Sequence, residues 1–352
     1  MAKRASMAIV VSMFFFLAFS GVGLAASAGD DPFTKVSAGL YEKAKQEGGL
    51  ILYSVWDVEH LVKITEAFSK RFPGIKTSYW QGRNPEIITR VLTEFQGGRD
   101  SVDVILSDNA PPVLRAAGAI QPYETVQKDF LLIHDPTIPV VSLQIQALAY
   151  NTRKLKEPDL PKDWEDVANP KYKGLVALDD PMRAGPMSTQ LAAFKELWKN
   201  DERWTKFVKG LKALNVPLHK STSALFRLVI AGEYGIAMPA LLHDVMHEKG
   251  QGTPVDFVKG APPIVFPRQA GIYIKAPHPN AGKLFAEWLI STEGQSVIDS
   301  VGRESARKGF PSKTSIDTAY PKGTKPLAVR DKLFLEDPKK WLDTYVQPVW
   351  GS

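Results

Sequence analysis

Apolar and polar positions recur along the first third of the chain with two alternating periods. Gly49 to Val55 (GLILYSV) is an apolar run rich in branched residues, which predicts a buried strand. Asp57 can cap the helix that follows, in which Leu61, Ile64, Phe68 and Phe72 recur at helical spacing until Pro73-Gly74 stops it. Ile75 to Trp80 alternates as a strand. Asn84-Pro85-Glu86 then supplies an N-cap, a proline at the first helical position and an acid in the first turn. A stripe of Ile87, Val91, Leu92 and Phe95 follows, closed by Gly97-Gly98. Val102 to Leu106 is a third strand, and Pro111 opens a short helix ending near Gly118. Three strand–helix alternations predict a mainly parallel sheet with helices on both faces.

Leu143 to Tyr150 (LQIQALAY) is a strand of another kind, set off by the proline-containing segment Asp135 to Pro139. A second alternating series opens with a strand at Leu175 to Leu178. Helices from about Met187 and about Glu202 bury Leu191, Phe194 and Trp198, and Trp204, Phe207, Val208 and Leu211. Thr222 to Ala231 is a helix ended by Gly232, Tyr234 to Met238 a strand, and Leu241 to Glu248 a helix. A strand is predicted at Ile272 to Ile274, and Pro279 opens a helix burying Leu284, Phe285, Trp288 and Leu289. The tail carries Leu333, Leu335, Trp341, Leu342 and Tyr345, too apolar to stay unpacked. The chain therefore reads as α/β, two units joined by extended segments, with no internal repeat or low-complexity tract.

The N-terminus changes this picture. Lys3 and Arg4 precede an apolar stretch from Ala8 to Phe19, and Ala26-Ser27-Ala28 has the pattern of a cleavage site. A membrane span needs about 20 apolar residues. Residues 1–28 are therefore expected to be a removed signal peptide rather than an uncleaved anchor, leaving a soluble, exported protein. The 352 residues, 44% hydrophobic and 23% charged, suggest two ordinary globular domains. No cysteine is present, which excludes disulfides, thiolate metal sites and iron–sulfur clusters. The charge of +6 is interspersed, so nothing argues for nucleic acid.

In open α/β sheets, ligands bind beyond the carboxyl ends of the strands. That rule selects Tyr53, Ser54 and Trp56 after the first strand, Trp80 and Arg83 after the second, and Asp108 and Asn109 after the third. In the second half it selects Arg183 and Ser188, and Ser221 and Thr222 where a helix opens. Helix N-termini favour an anion, and Arg83 and Arg183, one in each half, can grip a carboxylate or phosphonate with two parallel hydrogen bonds. Trp56, Trp80 and Tyr53 can cover an organic body. Each of these residues also has a purely structural reading, as a cap, a solvated charge or loop packing. His243-Asp244-Val245-Met246-His247 places two imidazoles four apart, but lacks the glutamate and the third ligand of a zinc-protease helix; a polar helix face is the better reading. No serine elbow, phosphate loop or dinucleotide fingerprint is present.

Asp163 to Pro181 (DWEDVANPKYKGLVALDDP) resembles a segment of the extracellular solute-binding proteins of bacterial ABC importers, in the branch that includes ferric-ion-, thiamine- and aminoethylphosphonate-binding proteins. Phe68 to Gly74, Gly232 to Met238 and Phe285 to Gln295 extend the likeness, which runs from about Gly48 to Phe310. It implies a type 2 periplasmic-binding-protein fold, two lobes closing about a ligand on two hinge strands near Gln144 to Tyr150 and Val265 to Gly271. The implied division is residues 29–143 with about 268–300 as lobe 1, 144–267 as lobe 2, and 301–352 as C-terminal helices packed on lobe 2. The implied protein is a periplasmic monomer that needs no cofactor and delivers its solute to an inner-membrane permease and its ATPase subunits. Arg268, near the second hinge strand, joins the ligand candidates. The ferric members place adjacent tyrosines about ten residues before a motif like Glu248-Lys249-Gly250; here Pro239-Ala240 stands there, and no two tyrosines are adjacent. Neither residue offers the phenolate a hard ferric ion needs. The expected ligand is thus a small organic anion. A ferric or metal-chelate binder of the same fold, a secreted hydrolase and a ligand sensor are the alternatives.

Overall fold

The computed structural model describes residues 32–99, 101–183, 185–312, 314–329 and 338–351. The expected signal peptide lies outside them, as do Leu333 and Leu335. Helix α1 (Pro32–Glu47) precedes the first predicted element. There follow β1 (Gly49–Ser54), α2 (Val58–Arg71), β2 (Lys76–Gln81), α3 (Asn84–Gln96), β3 (Val104–Ser107) and α4 (Ala110–Ala116), the alternation expected from the sequence. The long strand β4 (Val140–Asn151) leads to β5 (Val176–Asp179), α5 (Pro186–Trp198), α6 (Asp201–Ala213), β6 (Leu218–His219), α7 (Thr222–Ala231), β7 (Ile236–Leu241), α8 (Leu242–Gly250) and β8 (Val255–Phe257). The chain continues through β9 (Ile264–Ile272), α9 (Pro279–Ile290), α10 (Thr292–Ser300) and β10 (Glu304–Ser305). The strand expected at Ile272 to Ile274 instead ends at Ile272 and begins at Ile264. Pro267, which normally argues against a strand interior, sits within it opposite Leu143.

One sheet runs through the molecule in the order β2-β1-β3-β9-β4-β7-β5-β6, with β8 and β10 also paired to β4. Its register places two parallel groups head to head. β1, β2 and β3 are parallel to one another, as are β7, β5 and β6. β3 is antiparallel to β9, β9 to β4 and β4 to β7, so the two groups point in opposite directions. Ser107, at the end of β3, pairs with Gln269, which also pairs with Val140 at the start of β4. Leu241, at the end of β7, pairs with Gln146. The carboxyl ends of both groups thus face each other across the stretch of β4 between Val140 and Gln146, about 20 Å of strand at 3.3 Å per residue.

The core is divided among clusters that do not coincide with the two strand groups. The first gathers around Phe68, Phe285 and Trp288, whose rings meet edge to face or tilted with centroids 5.1–6.1 Å apart. It also takes in Ala237 of β7, Leu242 and Val245 of α8 and Phe257 of β8. A second gathers around Trp164, Phe194 and Trp204, and takes in Leu342 and Val346 from the C-terminal helical segment 338–350. Tyr320 belongs to the first cluster and packs at a tilt against Phe257 of β8. No described helix is long and apolar enough to cross a membrane.

Glu287 of α9 is fully buried and ties the returning helix to the segment before β4. Its carboxylate accepts from Tyr123 Oη at 2.9 Å, Thr125 Oγ1 at 2.9 Å, Val126 N at 3.0 Å and Gln127 Nε2 at 2.9 Å. A carboxylate so satisfied holds a segment that lacks regular structure. Glu287→Ala is expected to cost roughly 3 kcal/mol by leaving these donors unpaired; an unchanged urea midpoint would show that the carboxylate holds nothing.

Candidate functional site

β4, β9 and β10 join the facing strand ends, and side-chain alternation makes the stretch of β4 between them polar on one face. Along β4, Leu143, Ile145, Ala147 and Ala149 enter the first core, whereas Leu148 and Tyr150, on the other face, enter the second. Ser142, Gln144 and Gln146 share that second face but lie short of the second core. Arg268 pairs with Ser142 across the ladder and donates from Nη2 to Gln144 Oε1 at 2.6 Å. It is 6% exposed, and its Nε has no hydrogen-bond partner.

The structure distributes the twelve residues selected from the sequence unevenly. Ser54 and Trp56 lie at the β1 end of the groove. Ser54 Oγ donates to Leu106 O and accepts from Trp56 N, while the buried Trp56 ring lies under the Arg303 guanidinium with Nε1 unpaired. Asp108 and Asn109 lie at the β3 end, where Asp108 accepts from Asn84 Nδ2 at 2.9 Å. Tyr53 and Trp80 pack together in a separate cluster under α3; Tyr53 donates to Glu94, and Arg90 covers both rings at 4.5 Å. Strand alternation sends Tyr53 to the face opposite Ser54. Arg83 is exposed and closes the first turn of α3 by pairing with Glu86.

In the second group, Arg183 donates to Lys220 O at 2.8 Å and so links the two loops that precede α5 and α7. Ser188 caps α5 through Gly185, and Ser221 caps α7 by accepting from Ala224 N. Thr222 donates to Asp179, whose carboxylate also takes the N–H groups of Asp180 and Met187. Burial raises the Asp179 pKa in spite of these bonds. The N-termini expected to attract an anion are therefore largely supplied by the protein itself.

A cavity of about 260 Å³ opens where the β1–α2 loop of one group meets the β7–α8 junction of the other. It is lined by Asp57, His60, His243, Asp244, His247 and Arg303, with Val301 and Gly302. Arg303 donates to Asp57 Oδ2 at 2.8 Å and to His60 Nδ1 at 3.2 Å. Burial and the neighbouring Arg268 pull its pKa down to about 10, and burial and Arg303 lower that of His60. His243 Nδ1 lies 3.0 Å from Glu304 Oε1. Burial opposes charge on both partners, yet each stabilises the other: the His243 pKa is raised and the Glu304 pKa lowered. Among the described residues no group of three or more His, Asp or Glu is placed to hold a metal ion. His243 and His247, weighed above as a zinc pair, line this cavity with a glutamate partner for His243 alone.

Several residues here were not selected from the sequence. Gln144 and Gln146 had a signal, two polar side chains with period two inside an apolar strand. Gln190, fully buried on α5, had none. Gln146 Oε1 and both amide atoms of Gln190 make no hydrogen bond. Arg303 and Glu304 became recognisable only when β10 paired with β4.

The family model described as bacterial extracellular solute-binding protein matches residues 59–296. The major ferric iron-binding protein of Neisseria gonorrhoeae is 26% identical over 286 residues, 77% of this chain and 84% of its own. Iron-bound HitA from Pseudomonas aeruginosa superposes with a TM-score of 0.67 at 21% identity, over 85% of this chain and 98% of that one. AfuA from Actinobacillus pleuropneumoniae, with fructose-6-phosphate bound, gives 0.64 at 20% identity, over 86% and 98%. These neighbours share the type 2 periplasmic-binding fold.

The His243–Glu304 pair makes stability depend on pH with a definite sign. The raised histidine contributes fully below its ordinary value of 6.5 and loses that contribution as pH rises through its higher folded value. The lowered glutamate contributes above its ordinary 4.5 and loses that as pH falls through its lower folded value. His243→Gln is therefore expected to destabilise more at about pH 5.5 than at about pH 9. Equal differences in urea midpoint at both would show that the pair carries no charge.

Proposed function

The chain belongs to the bacterial extracellular solute-binding protein family, the binding subunits of ABC importers, and within that family we propose that it captures a small organic anion. One observation carries the reading: a polar cavity at the meeting point of strand ends from the two groups, with the buried guanidiniums of Arg268 and Arg303 beside it. Arginine suits a planar anion because its donors form a rigid fork. In this reading residues 29–143 with 268–300 form one lobe and residues 144–267 the other. The expected packing of residues 301–352 on the second lobe holds for the helical segment 338–350, whereas residues 303–308 bond to the first lobe through Arg303 to Asp57, Ala306 O to Leu132 N and Arg307 to Gln127. β4 and β9 act as hinges, and the lobes close over the solute. The protein works as a periplasmic monomer after loss of residues 1–28 and passes its solute unchanged to the permease, so it is a carrier rather than a secreted hydrolase. Arg268, Ser54, Trp56, Asp108 and Asn109 remain in the proposed site, with Gln144, Gln146, Gln190, His60, His243 and Arg303 added. Tyr53, Trp80 and Arg83 are left out of it, and Arg183, Ser188, Ser221 and Thr222 shape the loops around it.

A ferric or metal-chelate ligand is the second reading, favoured by the name of the Neisseria relative and by Asp57 and His60 in the cavity. Against it stand Pro239 and Ala240 in β7, which offer no oxygen donor from their side chains. Calorimetry with carboxylates, phosphonates, sulfonates and ferric citrate separates the two. A visible tyrosinate-to-iron band would decide for the metal.

Arg268→Ala is expected to weaken binding of the best anion in that panel more than tenfold, since a charge-assisted hydrogen bond contributes about 1.5–3 kcal/mol. Unchanged affinity would remove Arg268 from the site. Saturation with the same anion is expected to lower the radius of gyration in X-ray scattering; superimposable curves would contradict hinge closure.

A further inference from the structure

The polar face of β4 and the first turns of α5 hold more hydrogen-bonding capacity than an anion can use. Gln146 is 1% exposed and Gln190 0%. Gln146 Nε2 donates to Pro186 O at 3.4 Å, but its Oε1 accepts nothing. Gln190 lies one helical turn beyond Pro186 on α5, and neither its Oε1 nor its Nε2 has a partner. Buried side-chain amides are nearly always paired, because an unpaired one forfeits the hydration it had in the unfolded chain. Gln146 belongs to a run of polar groups that reaches the helix carrying Gln190. Arg268 bonds Gln144, Gln144 shares a strand face with Gln146, and Gln146 reaches the start of the helix that carries Gln190.

A side-chain amide presents an acceptor and a donor side by side. A carboxylate or phosphate oxygen only accepts, so it would satisfy Arg268 Nε but leave Gln146 Oε1 and Gln190 Oε1 facing another lone pair. An ammonium group only donates and would leave Gln190 Nε2 unpaired. A hydroxyl does both. We infer that the solute is a hydroxylated organic anion, with its charged group at Arg268 and its hydroxyls at Gln146 and Gln190. This inference rests on the reading of the groove as an anion site and specifies what the rest of the ligand must be. A site built to hydrogen-bond a hydroxyl rejects the analogue lacking it far more strongly than an apolar pocket could, because the buried amides are then left unpaired.

The test is calorimetry with pairs of equal charge that differ only in hydroxyls: malate against succinate, citrate against tricarballylate, and glycerol 3-phosphate against propyl phosphate. The hydroxylated member of at least one pair is expected to bind at least tenfold more tightly. Gln190→Leu and Gln146→Leu are expected to reduce the preference for the hydroxylated member at least tenfold. Gln190→Leu is also expected to raise the melting temperature of the ligand-free protein, the opposite of what removal of a structural bond would do. Equal affinity within every pair that binds would overturn the inference and leave the anion reading standing. No heat from any of the six compounds would overturn the anion reading, and this inference with it. The comparison in the unmodified protein stands even if a variant fails to fold.

Discussion

The antiparallel ladder between β4 and β9 is the constraint from which the rest of the molecule follows. Its register, from Val140 opposite Gln269 to Gln146 opposite Ile264, carries the chain from one parallel group into the other and reverses its direction on the way. Parallel strands joined by helices place their carboxyl ends on one edge. Two such groups in one sheet, pointing opposite ways and offset along β4 as the register has them, bring those edges face to face. The groove is thus a product of strand polarity and needs no particular side chain to create it. Its width is set by the few residues of β4 that neither group covers.

The side chains then decide what the groove tolerates. Arg268, Arg303, His243 and Glu304 lie close together at low exposure, where unpaired charge is costly. Glu304 offsets His243 and Arg268, and Asp57 reaches Arg303 from the solvent side. Arg268 retains donor capacity, Gln146 an acceptor, and Gln190 both kinds. A site that balances its own charges but leaves hydrogen-bonding groups unused is poised for a ligand that supplies oxygens.

The residues selected from loops fared according to the strand face on which they fall. Ser54 and Trp56 lie at the groove, whereas Tyr53, one residue away, turns under α3 with Trp80 and Arg90. The rule that ligands sit beyond strand ends identifies the right loops, but it says nothing of which side chain in a loop faces inward. Arg83 and Arg183 show the same limit. Each had a local partner, Glu86 or the Lys220 carbonyl, close enough to satisfy it before any ligand could. Gln144 and Gln146 carried their own signal, polar residues alternating with apolar ones in a strand otherwise buried on both faces.

The amino-acid sequence by itself determined the alternation of strands and helices, because hydrophobic period, caps and glycine or proline stops are local properties of the chain. It also determined the lack of thiol chemistry and of adjacent phenolates. Tertiary structure alone decided that β9 runs through Pro267, that β10 brings Arg303 and Glu304 beside Arg268 and His243, and that Gln190 is buried without a partner. Those facts depend on pairings between residues up to 160 or so positions apart, such as Glu304 with Leu143. No local pattern records them, since each partner taken alone is compatible with many neighbours.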